Sequence, residues 1–223
     1  DAGDFGGAIS SLEEALAIER KQAEPNQDAI ADALLRTGEV LQAVGDKDGA
    51  EKMYADAVVA DQLHPHPSGK TRATIMHSMA LLEKSRGHYQ RAIDYYKKTL
   101  VLVAQAFGPQ SQQYAITLSN YANVESLLHH YDIARSLEQQ ALDNARARHS
   151  TNPGDYSPLG GLALIEVWQG NFERAERLFR ERLQYLGDVG SGSVSSPLYT
   201  YMGLAASLWG QRRWDEAFDA ALT

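Results

Sequence analysis

The 223-residue chain is 43% hydrophobic, enough to bury a sizeable core, and carries 21 Lys and Arg against 29 Asp and Glu, a formal charge of −8. That balance argues against phosphate backbones and anionic lipid as general partners, so nucleic acid and membrane are not expected. There is no cysteine, which excludes a disulfide framework, a thiolate metal site and a cysteine nucleophile, and no apolar run approaches the roughly 18 to 20 residues of a membrane span. A soluble, cytoplasmic protein is expected. The start at Asp1-Ala2-Gly3-Asp4 and the end at Ala220-Ala221-Leu222-Thr223, within a helical pattern, read as a fragment of a longer protein.

Taken in chain order, an aromatic or long residue followed three positions later by Ala recurs at Phe5/Ala8, Lys47/Ala50, Tyr89/Ala92, Tyr131/Ala134, Phe172/Ala175 and Trp214/Ala217. The alanines are 42, 42, 42, 41 and 42 apart. Gly stands two residues before the first member at Gly3, Gly45, Gly87 and Gly170, where it ends one helix and lets the chain turn. His129 replaces it once, and Gly210 lies two residues early. Twelve residues before each anchor alanine from the second onward stands a small residue: Gly38, Ala80, Ala122, Ala163 and Ala205.

An independent register runs through Pro25, Pro67, Pro109, Pro153 and Pro197, at intervals of 42, 42, 44 and 44, midway between the anchors. These prolines sit in turn-forming segments such as Glu24-Pro25-Asn26 and Asn152-Pro153-Gly154. Between them apolar residues recur at offsets of three and four, as in Leu118, Tyr121 and Ala122, and no run alternates like a strand. The pattern predicts an all-α chain with an orphan helix at about 4–22. Helix pairs follow at about 27–44 and 46–62, 69–86 and 88–106, 110–128 and 130–147, 154–169 and 171–186, and 196–209 and 212–223. A single hairpin cannot bury its apolar stripe alone, so 1–223 is expected to be one stacked array.

The pattern Gly-x-aromatic-x-x-Ala, with a small residue twelve before the Ala, resembles the tetratricopeptide repeat, whose usual period is about 34 residues. Lengthened by about eight residues, roughly one turn per helix, it is similar to the repeats of kinesin light chains. The resemblance implies a right-handed α-solenoid that binds a protein or peptide in its concave groove, with no catalysis of its own and no cofactor. The family tends to place a bulky residue four after the anchor and a small one seven after it. Leu12, Tyr54, Tyr96 and Phe179 comply with the first; Glu138 departs from it, and Thr99 and Arg182 depart from the second.

In such stacks the first helix of each pair lines the groove, and residues 15, 11 and 8 before the anchor share one face. That stripe reads Leu35, Glu39 and Gln42, then His77, Leu81 and Lys84, then Ser119, Asn123 and Ser126, then Gly160, Leu164 and Val167, and finally Met202, Ala206 and Trp209. Its polar half is expected to pair an extended backbone through Gln42, Lys84 and Asn123. Its apolar half lies near Trp168 and Trp209. Only Lys84 and His77 supply positive charge, too little for a clamp on chaperone C-terminal carboxylates.

Other constellations carry less. Ser68-Gly69-Lys70-Thr71 lacks the glycine and strand of a phosphate loop, and Gly187-Asp188-Val189-Gly190-Ser191-Gly192-Ser193 lacks the strand of a dinucleotide fingerprint. His64 with His66, and His129 with His130, have no carboxylates at matching spacing, so no metal site is expected. Arg174, Arg177, Arg180 and Arg182 alternate with Glu173, Glu176 and Glu181 and read as surface ion pairs. The ending Gly210-Gln211-Arg212-Arg213-Trp214-Asp215-Glu216-Ala217 resembles repeats that precede a caspase-like CHAT-type protease domain, so a regulatory arm of a larger enzyme is the alternative. Open repeat ends also make self-association a third expectation.

Overall fold

A computed structural model describes residues 5–64, 69–187 and 197–222. The readings that fall on Gly3, on Pro65, His66, Pro67 and Ser68, and on 188–193 lie outside these residues. Eleven α-helices run through the described residues, none with a strand between them. They are α1 (Phe5–Arg20), α2 (Gln27–Ala43), α3 (Lys47–Leu63), α4 (Gly69–Ser85), α5 (Tyr89–Phe107), α6 (Gln112–Leu127), α7 (Tyr131–Ala147), α8 (Ser157–Trp168), α9 (Phe172–Leu186), α10 (Leu198–Gly210) and α11 (Trp214–Leu222). None is long and apolar enough to cross a membrane.

The chain divides into two compact units, 1–109 and 110–223. In the first, α1 packs on α2, the pairs α2/α3 and α4/α5 stack, and α2 touches α4. In the second, the pairs α6/α7, α8/α9 and α10/α11 stack so that α6 touches α8 and α8 touches α10. First helices thus form one layer within each unit and second helices the other.

The two small-residue positions of the repeat have a common packing cause. Anchor alanines Ala50, Ala92, Ala134 and Ala175 have no exposed surface, and neither do Ala80, Ala122 and Ala163 twelve residues earlier. The rings of Tyr54, Tyr96 and Phe179, four after an anchor, are almost fully buried. A Cβ on Gly38 would lie 2.5 Å from the Tyr54 ring, so in this pair the small residue on the first helix is what leaves room for the ring of the second. Thr99, small but polar at the next position, returns its hydroxyl to the Tyr95 carbonyl at 2.9 Å and is buried without an orphaned group.

A third register escaped the sequence reading. Glu83, Glu125 and Glu166, nine residues before their anchors, are buried carboxylates. Each meets the residue that opens the next helix: His88 Nδ1 is 3.0 Å from Glu83, His130 Nδ1 is 2.7 Å from Glu125, and Asn171 Nδ2 donates to Glu166 at 2.8 Å. The backbone N–H of the same three residues donates to the carbonyl of the same glutamates. Each interhelix turn is therefore tied twice to one buried acid. Arg91 (3.1 Å) adds charge at Glu83, as do Arg135 (3.3 Å) and Arg174 (3.4 Å) at Glu166. A buried carboxylate is tolerable on these terms, because a paired, hydrogen-bonded charge recovers much of its lost hydration.

Successive pairs are also pinned at the residue after the anchor. Glu51 accepts from Arg86 at 2.6 Å, and Glu176 accepts from Gln211 at 2.8 Å and Arg213 at 2.6 Å. Arg135 reaches Gln169 and Glu166 of the following helix.

Two local expectations are corrected. The segment 153–156 is a 3-10 turn that precedes α8, built around Asp155, whose carboxylate accepts from Gln112, Arg148 and Ser150. Gly210 is not a displaced turn glycine. The left-handed position of that turn belongs to Arg212 (φ 62°), in register with Gly45 (φ 91°), Gly87 (φ 78°) and Gly170 (φ 77°), and His129 (φ 60°) holds the same place in its repeat. Gly210 ends α10 and is small because a Cβ there would lie 2.5 Å from the Phe172 ring.

A side chain in the left-handed region costs on the order of 1 kcal/mol. Arg212→Gly is therefore expected to stabilise the protein by about 0.5–1 kcal/mol in urea unfolding, while Gly210→Ala, two residues away, should destabilise it. The reverse order would contradict this assignment of the two positions.

Candidate functional site

In the first unit the expected stripe is carried by α2 and α4. Leu35 is part of the core beside Leu34, Tyr54 and Ile75, so it presents nothing to a partner. Glu39 is half-buried and pairs with Arg36 at 3.0 Å. Gln42 is partly occupied, since its Oε1 accepts from the Tyr54 hydroxyl at 2.9 Å. His77 packs edge-on against Tyr96 with centroids 5.8 Å apart. Burial, reinforced by neighbouring Lys84, pulls His77 down to about 4, so it is neutral at physiological pH and not the second cation of the stripe. Burial also lowers Lys84 from the usual lysine range. Leu81 is half-buried between them.

In the second unit α6, α8 and α10 lie side by side and carry the remainder. Asn123 is exposed on α6, Ser126 is buried, and Ser119 donates to Glu138 at 2.9 Å. Leu164 and Val167 of α8 are half-buried against the cluster of Ala163, Phe179, Leu204 and Leu208. Met202 and Trp209 of α10 are exposed, at 61% and 64%. Trp168 does not join Trp209: one position off the stripe, it lies against Tyr131 with centroids 5.9 Å apart, whereas Trp209 meets Trp214 edge-on at 4.5 Å.

Three residues that the stripe omitted share this face. Tyr199, 44% exposed, precedes Met202, Ala206 and Trp209 at helical spacing. Its ring lies 5.5 Å from the guanidinium carbon of Arg182, which is itself buried. Arg182 is therefore not one of the exposed, paired arginines of α9, unlike Arg174 with Glu166 and Arg180 with Glu176. The third residue, Glu138, is buried against Gly161, where a Cβ would sit 2.2 Å from its Oε1. Burial raises Glu138 to about 8, although the Ser119 hydrogen bond and Arg182 both oppose the shift.

The two repeat-breaking charges thus flank a glycine doublet. Gly161 accommodates Glu138 and Gly160 accommodates Arg182. Their signal was present in the sequence: Glu138, Gly160-Gly161 and Arg182 are all exceptions to the repeat, each at a position facing another.

The remaining constellations are placed elsewhere. Gly69, Lys70 and Thr71 form the first turn of α4, with the Lys70 ammonium 5.6 Å from the Phe107 ring centroid. His64 lies 3.7 Å from Asp28, and His129 Nδ1 lies 2.7 Å from the Tyr131 hydroxyl.

Comparison with known proteins gives a consistent picture. Residues 71–147 match the family model described as tetratricopeptide repeat, and no curated protein matches the chain. Among solved structures, BtubC (BKLC) from P. vanneervenii superposes with a TM-score of 0.84 at 17% identity, over 98% of this chain and 88% of that one. A putative kinesin light chain with nearly identical TPR-like repeats from Podosopora anserina gives 0.71 at 14% identity, over 88% and 93%. A tetratricopeptide repeat protein from Parabacteroides merdae gives 0.65 at 19% identity, over 98% and 71%. At these identities the likeness is one of fold.

The folded protein holds the Glu138 proton up to about pH 8, whereas the unfolded chain releases it near the ordinary value of 4.5. Stability contributed by this site is thus present at low pH and lost as pH rises towards 8. Glu138→Gln keeps the shape and removes the titration. Its urea stability relative to wild type should rise with pH across that window, by up to about 1 kcal/mol per unit. A pH-independent difference would mean that Glu138 is ionised in the fold.

Proposed function

The chain carries tetratricopeptide repeats and has the fold of kinesin light chain-like repeat proteins, and from that premise we propose that it is a protein-interaction scaffold without catalysis of its own. Proteins of this fold are typically non-catalytic and generally bind other proteins. The bound element is an extended peptide or protein segment with both polar and apolar side chains. It lies across the first helices, and its main contacts are with α6, α8 and α10.

One observation carries this reading. Tyr199, Met202 and Trp209 expose large apolar surfaces in a row along one helix, whereas Leu164 and Val167 on the neighbouring first helix are half-buried. Exposed aromatic and methionine side chains supply contact area at an interface, and a contiguous apolar row on a soluble fold marks a binding surface. Asn123, exposed on α6, adds a carboxamide that can both donate and accept along an extended backbone. Trp209 is also the residue type that most often dominates interface energies.

Synthetic arrays of randomised 12-residue peptides, probed with the whole protein, test this. The strongest binders should lose at least tenfold in affinity with Trp209→Ala or Asn123→Ala and be unaffected by Gln139→Ala, an exposed residue of the opposite layer. Binding that ignores the first two substitutions would move the site off this face.

A further inference from the structure

Arg182 is 8% exposed, yet no described residue accepts a hydrogen bond from its Nε, and no described carboxylate lies within ion-pair distance of it. The side chains of Arg174 and Arg180, by contrast, are at least half exposed and are paired, with Glu166 and Glu176. The Arg182 side chain instead turns away from solvent and passes to the first-helix layer. Its Nη1 lies where a Cβ on Gly160 would come within 2.0 Å, so the glycine at that stripe position is what leaves it this place. Tyr199 flanks it from α10. Glu138 is the nearest acid to influence it, but it sits across α8 against Gly161 and spends one oxygen on Ser119.

A desolvated guanidinium without a counter-charge is expensive and is normally found paired. Arginine is also the side chain best suited to grip a carboxylate, through two parallel N–H···O bonds from a planar fork. Its position beside Tyr199 places an unmatched cation at the edge of the surface assigned above to a bound segment. The first-helix stripe is poor in cations, and this one arrives from the second helix through the gap at Gly160.

We propose that Arg182 is an anion anchor of the peptide-binding face, pairing one carboxylate of the bound segment beside Tyr199 and Gly160. The carboxylate is either an Asp or Glu side chain or the free C-terminus. This rests on the binding face proposed above and gives that face a chemical preference that its polar stripe lacks.

The test uses the strongest binders from the peptide arrays, each synthesised as free acid and as C-terminal amide and with every Asp or Glu replaced in turn by Asn or Gln. Removal of one particular carboxylate should weaken binding to the wild-type protein at least tenfold, and whether that group is a side chain or the C-terminus identifies its source. The same change should alter binding to Arg182→Gln less than twofold, and Arg182→Lys should fall between the two. If Arg182→Gln does not fold by circular dichroism, the peptide series on wild type and Arg182→Lys carries the test. Binders that remain sensitive to Trp209→Ala but tolerate loss of every carboxylate would overturn the anchor and leave the binding face standing. An equal loss in wild type and Arg182→Gln would do the same. Absence of any binder, or binders indifferent to Trp209→Ala and Asn123→Ala, would overturn the face and the anchor together.

Discussion

Everything in this fold depends on how closely the two helices of a pair can approach. The rings of Tyr54, Tyr96 and Phe179 are almost fully buried, a Cβ on Gly38 or Gly203 would run into the first or the last of them, and the anchors Ala50, Ala92, Ala134 and Ala175 have no exposed surface. With packing this dense, one added methylene is felt. The repeat is therefore recognisable by where large side chains are forbidden as much as by where they are required. The closeness also ensures that first helices neighbour first helices within each unit, as α6, α8 and α10 do. Their outward faces are thereby left to vary.

The polar interior follows from the same closeness. Short turns between tightly packed helices leave backbone N–H groups that each need an acceptor. Glu83, Glu125 and Glu166 supply both carbonyl and carboxylate to one turn residue each. The outermost described pairs have Leu41 and Leu208 in that register instead, so the acid is confined to the central turns. Glu138 and Arg182 exploit a different allowance. Where a first helix shrinks to Gly160-Gly161, second-helix charges can reach the first-helix layer.

Much of this was legible in the sequence, because the repeat averages over six copies. Helix limits were read to within a few residues from prolines and anchors, since each boundary is set by local turn chemistry. What escaped depended on pairs of residues far apart in the chain. The carboxylate register repeats at 42 and 41 residues like the alanines, but glutamate on a helix is ordinarily a solvated residue, and only burial reveals these as structural. Arg182 looked like one of four alternating arginines, because the space that receives it belongs to Gly160, twenty-two residues earlier. Arg212 was missed for the opposite reason: a nearby glycine offered an easier turn, whereas Gly210 is needed for the Phe172 ring. On the stripe itself, helical spacing gave no depth, so buried Ser126 and exposed Asn123 appeared equivalent.

The most direct test of the close-approach account is a pair of substitutions at adjacent residues of α8. Ala163 has no exposed surface and shares a core cluster with Phe179, whereas Leu164 lies at that cluster's edge. Urea unfolding of Ala163→Leu should show a loss of about 1–3 kcal/mol, because the added atoms can be placed only by displacing neighbours in the cluster that includes Phe179. Leu164→Ala, which removes as many atoms from a half-buried site, should cost clearly less. Wild-type stability in Ala163→Leu, or a larger loss in Leu164→Ala, would contradict the claim that excluded volume between paired helices sets the fold.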